Sequence, residues 1–135
     1  MVRVGGPVDA STESTGTSPL GPILLHHGAF TDGISWMNGW SADRELLPIA
    51  LKNLGYDVYI GNKRGTRMSP FTNTLADSVN YNFSHDEIAT DDLPSMINKI
   101  LQTRLEEDGT QCMKVNLLTN SLGGAEALIM AAELP

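Results

Sequence analysis

The stretch from Val115 to Ala127, V-N-L-L-T-N-S-L-G-G-A-E-A, constrains the fold of this chain more than any other. An apolar run, Met113 to Leu118, leads into Thr119-Asn120-Ser121-Leu122-Gly123, and small, helix-favouring residues follow at once, Gly124-Ala125-Glu126-Ala127-Leu128. A strand signal, a sharp turn bearing a serine and a helix signal together outline a nucleophile elbow. Such a turn brings strand and helix very close, so it needs tiny residues two positions either side of the serine. Gly123 meets that need. Thr119 stands where glycine is usual, and its β-branched side chain is bulkier, giving T-x-S-x-G. The same five residues also fit an ordinary βα turn in which Ser121 caps the helix.

The 135 residues suffice for one domain with one modest core. Hydrophobic content of 41% and charged content of 19% are those of a globular protein. A net charge of −7 argues against nucleic acid and against an anionic membrane surface as partners. No apolar run approaches the roughly 20 residues of a membrane-spanning helix. Met1-Val2-Arg3-Val4 has no signal-peptide pattern, and Met1 reads as an internal methionine of a longer product. The single cysteine, Cys112, excludes an internal disulfide and a cysteine-based zinc site.

Along the chain, Met1 to Val4 suggests a short edge strand, and Gly5 to Gly21, rich in Gly, Pro, Ser and Thr, a surface loop. Residues 1–21 thus precede the folded portion, 22–135. Pro22 to Leu25 is a short buried strand, followed by His26-His27-Gly28-Ala29-Phe30. Thr31 to Ser41 reads as loop anchored by Trp36 and Trp40. Leu47 to Leu54 has helical spacing, with Pro48 tolerable in the first turn and Gly55 as terminator. Tyr56 to Ile60 is the next strand, and Gly61 to Thr66 a turn whose spacing is wrong for a phosphate-binding loop. Ser84-His85-Asp86-Glu87 is a capping box, which explains these residues better than a metal cluster. Pro94 is expected to kink the helix that follows, Asp91 and Asp92 to form its solvated face, and Glu106 to Thr110 to be its exit loop. Strands alternating with helices imply an α/β fold: a mostly parallel, doubly wound sheet with helices on both faces. His27 to Phe30, Gly61 to Thr66 and Thr119 to Leu122 would then meet at the C-terminal rim of the strands, where such sheets bind ligands. Arg64 suits an ion pair that fixes its loop better than a substrate contact.

Several blocks together resemble the acid lipase family of α/β-hydrolases, the gastric and lysosomal type of triacylglycerol and cholesteryl ester lipases. They are Leu24-Leu25-His26-His27-Gly28, Ser35-Trp36, the run from Leu54 to Gly65 containing G-Y-D-V-Y-I-G-N-K-R-G, Phe83-Ser84-His85-Asp86-Glu87, and Asp92-Leu93-Pro94-Ser95-Met96-Ile97-Asn98. Order and spacing match from about Pro22 to Pro135, the N-terminal half of a catalytic domain, and so imply a partial α/β-hydrolase fold. The resemblance implies a carboxylic ester hydrolase acting on lipid esters. Ser121 would be the nucleophile, and the backbone N–H groups of Leu122 and Ala29 the oxyanion hole. Phe30, Trp36 and Trp40 are candidate acyl contacts; core or loop anchoring suits them equally. No cofactor or metal is implied. The partners are a lipid ester, with a lipid–water interface left open, and the missing C-terminal half or another chain. Family members are secreted or lysosomal; nothing here carries an address.

Two departures stand beside the resemblance. Thr119 replaces the first elbow glycine, and Asn120 replaces the histidine usual before the nucleophile. Serine needs a base, and in this fold the acid and histidine follow it in the chain. After Ser121 the only acids are Glu126 and Glu133, and no histidine occurs; His26, His27 and His85 all precede it. The expectation is a fragment of an enzyme whose acid and base lie elsewhere, marginally stable and aggregation-prone alone because of its open sheet edge. The rival is a non-catalytic α/β-hydrolase-like binding module or assembly subunit.

Overall fold

The computed structural model describes residues 1–4, 20–38, 45–71, 81–109 and 114–133. The suggested loop at 5–19, the anchor Trp40, Cys112 and the proposed strand start at Met113 lie outside the described residues. Four strands form one sheet: β1 Val2–Arg3, β2 Pro22–His26, β3 Asp57–Ile60 and β4 Asn116–Thr119, in the order β1-β3-β2-β4. β2 runs parallel to both β3 and β4, and β1 pairs antiparallel with β3. Leu24 lies between Tyr59 on one side and Leu117 on the other.

Alternation along the strands divides the core in two, as side chains of period two require. On one face Ile23, Leu25, Val58 and Ile60 are buried beneath Val4, Trp36, Leu51, Tyr56 and Leu118. Helix α1, Leu47–Asn53, covers this face with buried Pro48 in its first turn, and Gly55 follows it at φ 100°. Gly33–Met37 is a 3₁₀ turn rather than loop. The Asp32 carboxylate accepts the Ile34 N–H at 2.9 Å and the Asp32 carbonyl accepts the Ser35 hydroxyl at 2.7 Å, which satisfies the turn locally.

On the opposite face Leu24, Tyr59, Leu93 and Ile100 are buried among Met96, Ile97, Val115, Leu117, Ala127 and Met130. Each fully buried aliphatic side chain there contributes about 1.5–3 kcal/mol. The Ser84 capping box forms as expected and opens α2, His85–Glu87. A π-helical turn, Ile88–Asp92, joins it to α3, Leu93–Asp108. Pro94 therefore sits in the first turn of α3. The wider turn ahead of it absorbs the missing N–H that was expected to kink the helix. α3 continues through most of the expected exit loop to Asp108 and stops at Gly109, whose φ of 63° suits a C-terminal cap. The last helix, α4, is Leu122–Glu133.

One buried polar cluster ties β1, β3 and α3 together. The Asp57 carboxylate accepts from Arg3 Nε at 2.8 Å, Arg104 Nη1 at 3.2 Å and the Tyr59 hydroxyl at 2.9 Å. Burial, then the bond to Asp57, pushes the Tyr59 hydroxyl above its ordinary range. Asp57→Ala would leave the buried Arg104 guanidinium without this carboxylate. It is expected to cost about 3 kcal/mol, measured as a fall in the urea-unfolding midpoint.

Candidate active site

β2 lies between β3 and β4, so its C-terminal end is flanked by both of theirs. The Gly61 N–H bonds the Leu25 carbonyl at 2.9 Å, and the Asn120 N–H bonds the His26 carbonyl at 3.2 Å. The three segments 27–30, 61–66 and 119–122 therefore leave the sheet at one rim. β4 ends at Thr119, α4 begins at Leu122, and Ser121 sits between them with φ 54°. An L-residue in that left-handed region costs about 1–2 kcal/mol. Among the described residues the other non-glycine at positive φ is Phe30, at 55°, on the facing loop. Backbone strain is thus concentrated at the rim.

Close packing explains why small residues are needed here. A Cβ on Gly123 would lie 2.8 Å from the His27 carbonyl oxygen and 2.9 Å from that of His26. A Cβ on Gly28 would lie 2.9 Å from Ser121 Cβ and 3.4 Å from Ser121 Oγ. The backbone of the 27–30 loop thus lies directly against the exposed serine. A Cβ on Gly124 would meet Thr119 Oγ1 at 3.4 Å, an ordinary van der Waals contact, so the helix passes Thr119 without crowding it. The N–H groups of Ala29 and Leu122 have no hydrogen-bond acceptor among the described residues.

A cavity of about 860 Å³ opens at the same rim, lined in part by Gly28, Ala29, Phe30, Ile34 and Leu122; Ser121, next to Leu122, is not itself among its lining residues. Phe30 is fully exposed at its mouth. Trp36 is not among the lining residues; it packs on the Ile23–Leu25 face of the sheet. The expected ion pair of Arg64 is present. Its N–H and Nε bond the two Asp92 carboxylate oxygens at 3.0 and 2.7 Å, and its guanidinium lies 5.6 Å from the Phe83 ring centre. Asp92 is thereby taken out of the solvated helix face expected for it, while Asp91 stays exposed.

The histidines have other tasks than activating Ser121. His27 Nδ1 donates to the Gly28 carbonyl at 2.9 Å, and its Nε2 accepts the Lys63 N–H at 3.2 Å. Both ring nitrogens are engaged, and burial holds the ring neutral by lowering its pKa. His26 is fully buried on the Leu24 side of β2 and donates from Nε2 to Glu126 at 2.7 Å. Glu126 itself is the residue whose place the sequence did not disclose. Its fully buried carboxylate also accepts Lys63 Nζ at 2.6 Å and His85 Nδ1 at 2.9 Å. Burial alone would raise its pKa. The bonds from His26, Lys63 and His85, with the Lys63 charge, outweigh burial and hold it at about 2. Among the described residues no group of His, Cys, Asp and Glu has the arrangement of a metal site.

Comparison with known proteins agrees with this fold. Residues 21–135 match the family model described as alpha/beta hydrolase fold. Triacylglycerol lipase 2 of Arabidopsis thaliana is 38% identical over 104 residues, 76% of this chain and 23% of that protein. Human lysosomal acid lipase/cholesteryl ester hydrolase is 31% identical over 119 residues, 87% of this chain and 28% of that protein. Human lipase member N is 29% identical over 126 residues, 92% of this chain and 30% of that protein. The chain thus spans about a quarter of the length of these curated relatives.

Two measurements follow from the site. Ser121→Gly relieves the left-handed strain of about 1–2 kcal/mol against a glycine entropy of about 0.5–1 kcal/mol. The variant is expected to unfold at higher urea, by about 0.5–1 kcal/mol. The second concerns acid. A carboxyl whose pKa is lower in the folded state stabilises above its ordinary value of 4.5, and that contribution is lost as pH falls toward about 2. Unfolding midpoints are expected to drop across this window, and the drop is expected to be shallower in Glu126→Gln.

Proposed function

Because the chain belongs to the α/β-hydrolase family, in its acid lipase branch, we propose that it supplies the nucleophile and oxyanion hole of a carboxylic ester hydrolase acting on lipid esters. The observation that carries this is Ser121: a serine at φ 54° between β4 and α4, exposed and packed against Gly28. Ser121 Oγ attacks the ester carbonyl carbon, and the carbonyl electron pair moves onto oxygen. The N–H groups of Ala29 and Leu122 receive that oxyanion. Preorganised donors are each worth about 3 kcal/mol to such a charge once water is excluded. The serine proton passes to a base, and the alcohol leaves with a proton. Water then hydrolyses the acyl-serine. His26, His27 and His85 are each bound to other groups, so on this proposal the base and its acid partner come from a longer product or another chain. Phe30, Ile34 and Leu122 give the cavity an apolar side suited to an acyl chain. The names of the related lipases support a lipid ester over a small polar one.

The test is covalent labelling of the natural full-length product with a fluorophosphonate. Labelling and ester hydrolysis are expected in the wild type, and Ser121→Ala is expected to remove both, with kcat falling by about 10⁴-fold or more. Labelling that persists in Ser121→Ala would overturn the role of the serine. A wild type that folds but neither labels nor hydrolyses would favour the non-catalytic binding module instead.

A further inference from the structure

The Glu126–Lys63 pair has no place in the chemistry above, yet it ends on the peptide that chemistry uses. Lys63 Nζ is almost fully buried, 2.6 Å from Glu126 Oε2 and 3.5 Å from the Gly28 carbonyl oxygen. The same oxygen accepts His27 Nδ1 at 2.9 Å and lies 3.4 Å from the Thr31 hydroxyl. Three donors thus converge on one carbonyl. The Gly28–Ala29 peptide is trans and planar, so its N–H projects from the edge opposite its C=O. Holding the Gly28 oxygen toward Lys63 and His27 turns the Ala29 N–H the other way. An ammonium close to the oxygen also polarises the amide and makes its N–H a stronger donor.

Lys63 would not hold that position alone. A buried ammonium needs a counter-charge, and Glu126 provides it from the first turns of α4, the helix that Ser121 introduces. Glu126 is in turn oriented by His26 at the end of β2 and by His85 at the start of α2. The Lys63 backbone N–H, through His27 Nε2, fixes the His27 tautomer that donates to Gly28. Both atoms that Lys63 offers therefore act on the same peptide.

We propose that Lys63, held by Glu126, is a positioning residue for the oxyanion hole, directing the Ala29 N–H toward the oxygen of an ester bound at Ser121. This rests on the ester-hydrolase function proposed above. It concerns the transition state, where the oxygen is charged, more than the bound ester, where it is not.

The experiment measures kcat and KM of the full-length product with a soluble fatty-acyl ester, for wild type, Lys63→Met, Lys63→Arg, Glu126→Gln and Ser121→Ala, with far-ultraviolet circular dichroism as the check of folding. Lys63→Met is expected to lower kcat about 10- to 100-fold with KM changed less than about threefold. Lys63→Arg, which keeps the charge, is expected to recover much of the loss. Glu126→Gln is isosteric, and it is expected to lower kcat in the same direction and so decides the matter where Lys63→Met does not fold. Folded Lys63→Met or Glu126→Gln with wild-type kcat, beside an inactive Ser121→Ala, would overturn the positioning role and leave the nucleophile intact. An active Ser121→Ala would instead overturn the ester-hydrolase function and this inference with it.

Discussion

The contact on which the rest of this structure depends is the approach of α4 to the end of β2. Gly123 sits so near the carbonyl oxygens of His26 and His27 that a single methyl group there would press on both. Backbone does not yield as a flexible side chain does, so the glycine is what lets the helix start immediately after the strand. Once the helix is there, Ser121 has no room for a relaxed turn and takes a left-handed backbone. The strain is held because both sides of the turn are fixed, β4 by its register with β2 and α4 by Ala127 and Met130 in the core. Packing energy from well away from the rim is therefore what keeps the Ser121 side chain exposed.

The same reasoning accounts for the unusual threonine. Thr119 lies on the face of β4 that α4 covers, two residues after Leu117. Glycine at that position would normally make the space. Here threonine is accommodated, because even a Cβ on Gly124 would meet Thr119 Oγ1 at an ordinary contact distance of 3.4 Å. The close approach in T-N-S-L-G-G is set by Gly123 against the His26 and His27 carbonyls, and position 119 does not limit it.

Much of this was legible in the amino-acid sequence because it is written in short-range terms. Two buried strands, the Pro48 helix start, the Ser84 cap and the serine turn each follow from periodicity or local hydrogen bonding, and each forms. What was missed depends on partners distant in the chain. Asp92 looks like a solvated acid until Arg64, far earlier, comes to rest on it. Trp36 sits beside residues that line the cavity, yet its own side chain turns to the opposite face of the sheet. Pro94 signalled a break, but a break can be spread over a preceding π turn, and nothing local specifies which. Glu126 did leave a signal. Gly123, Glu126, Ala127 and Met130 form one helical stripe, and that stripe faces the sheet. A lone acid on a buried stripe must find donors, although sequence alone does not say that they are His26, Lys63 and His85.

That buried acid bears on how the site is built. An aliphatic residue at position 126 would suit the seam between α4 and the sheet, and replacing buried ion pairs by apolar packing is often neutral or stabilising. Stability alone is thus a weak reason for the carboxylate. Direction is a better one. Apolar contacts tolerate sliding of several tenths of an ångström, whereas Glu126, with three donors at 2.6 to 2.9 Å, fixes the ends of β2 and α2 and the Lys63 side chain relative to α4. Of these, the loop that leaves β2 lies directly against Ser121. On the proposed reading, an oxyanion hole assembled from the Ala29 and Leu122 segments would gain from such a tie, because its two N–H groups must aim at one point. The cluster exchanges apolar packing for fixed directions, and the β2 end it ties lies next to the loop that carries Phe30 and faces Ser121, where the backbone is strained.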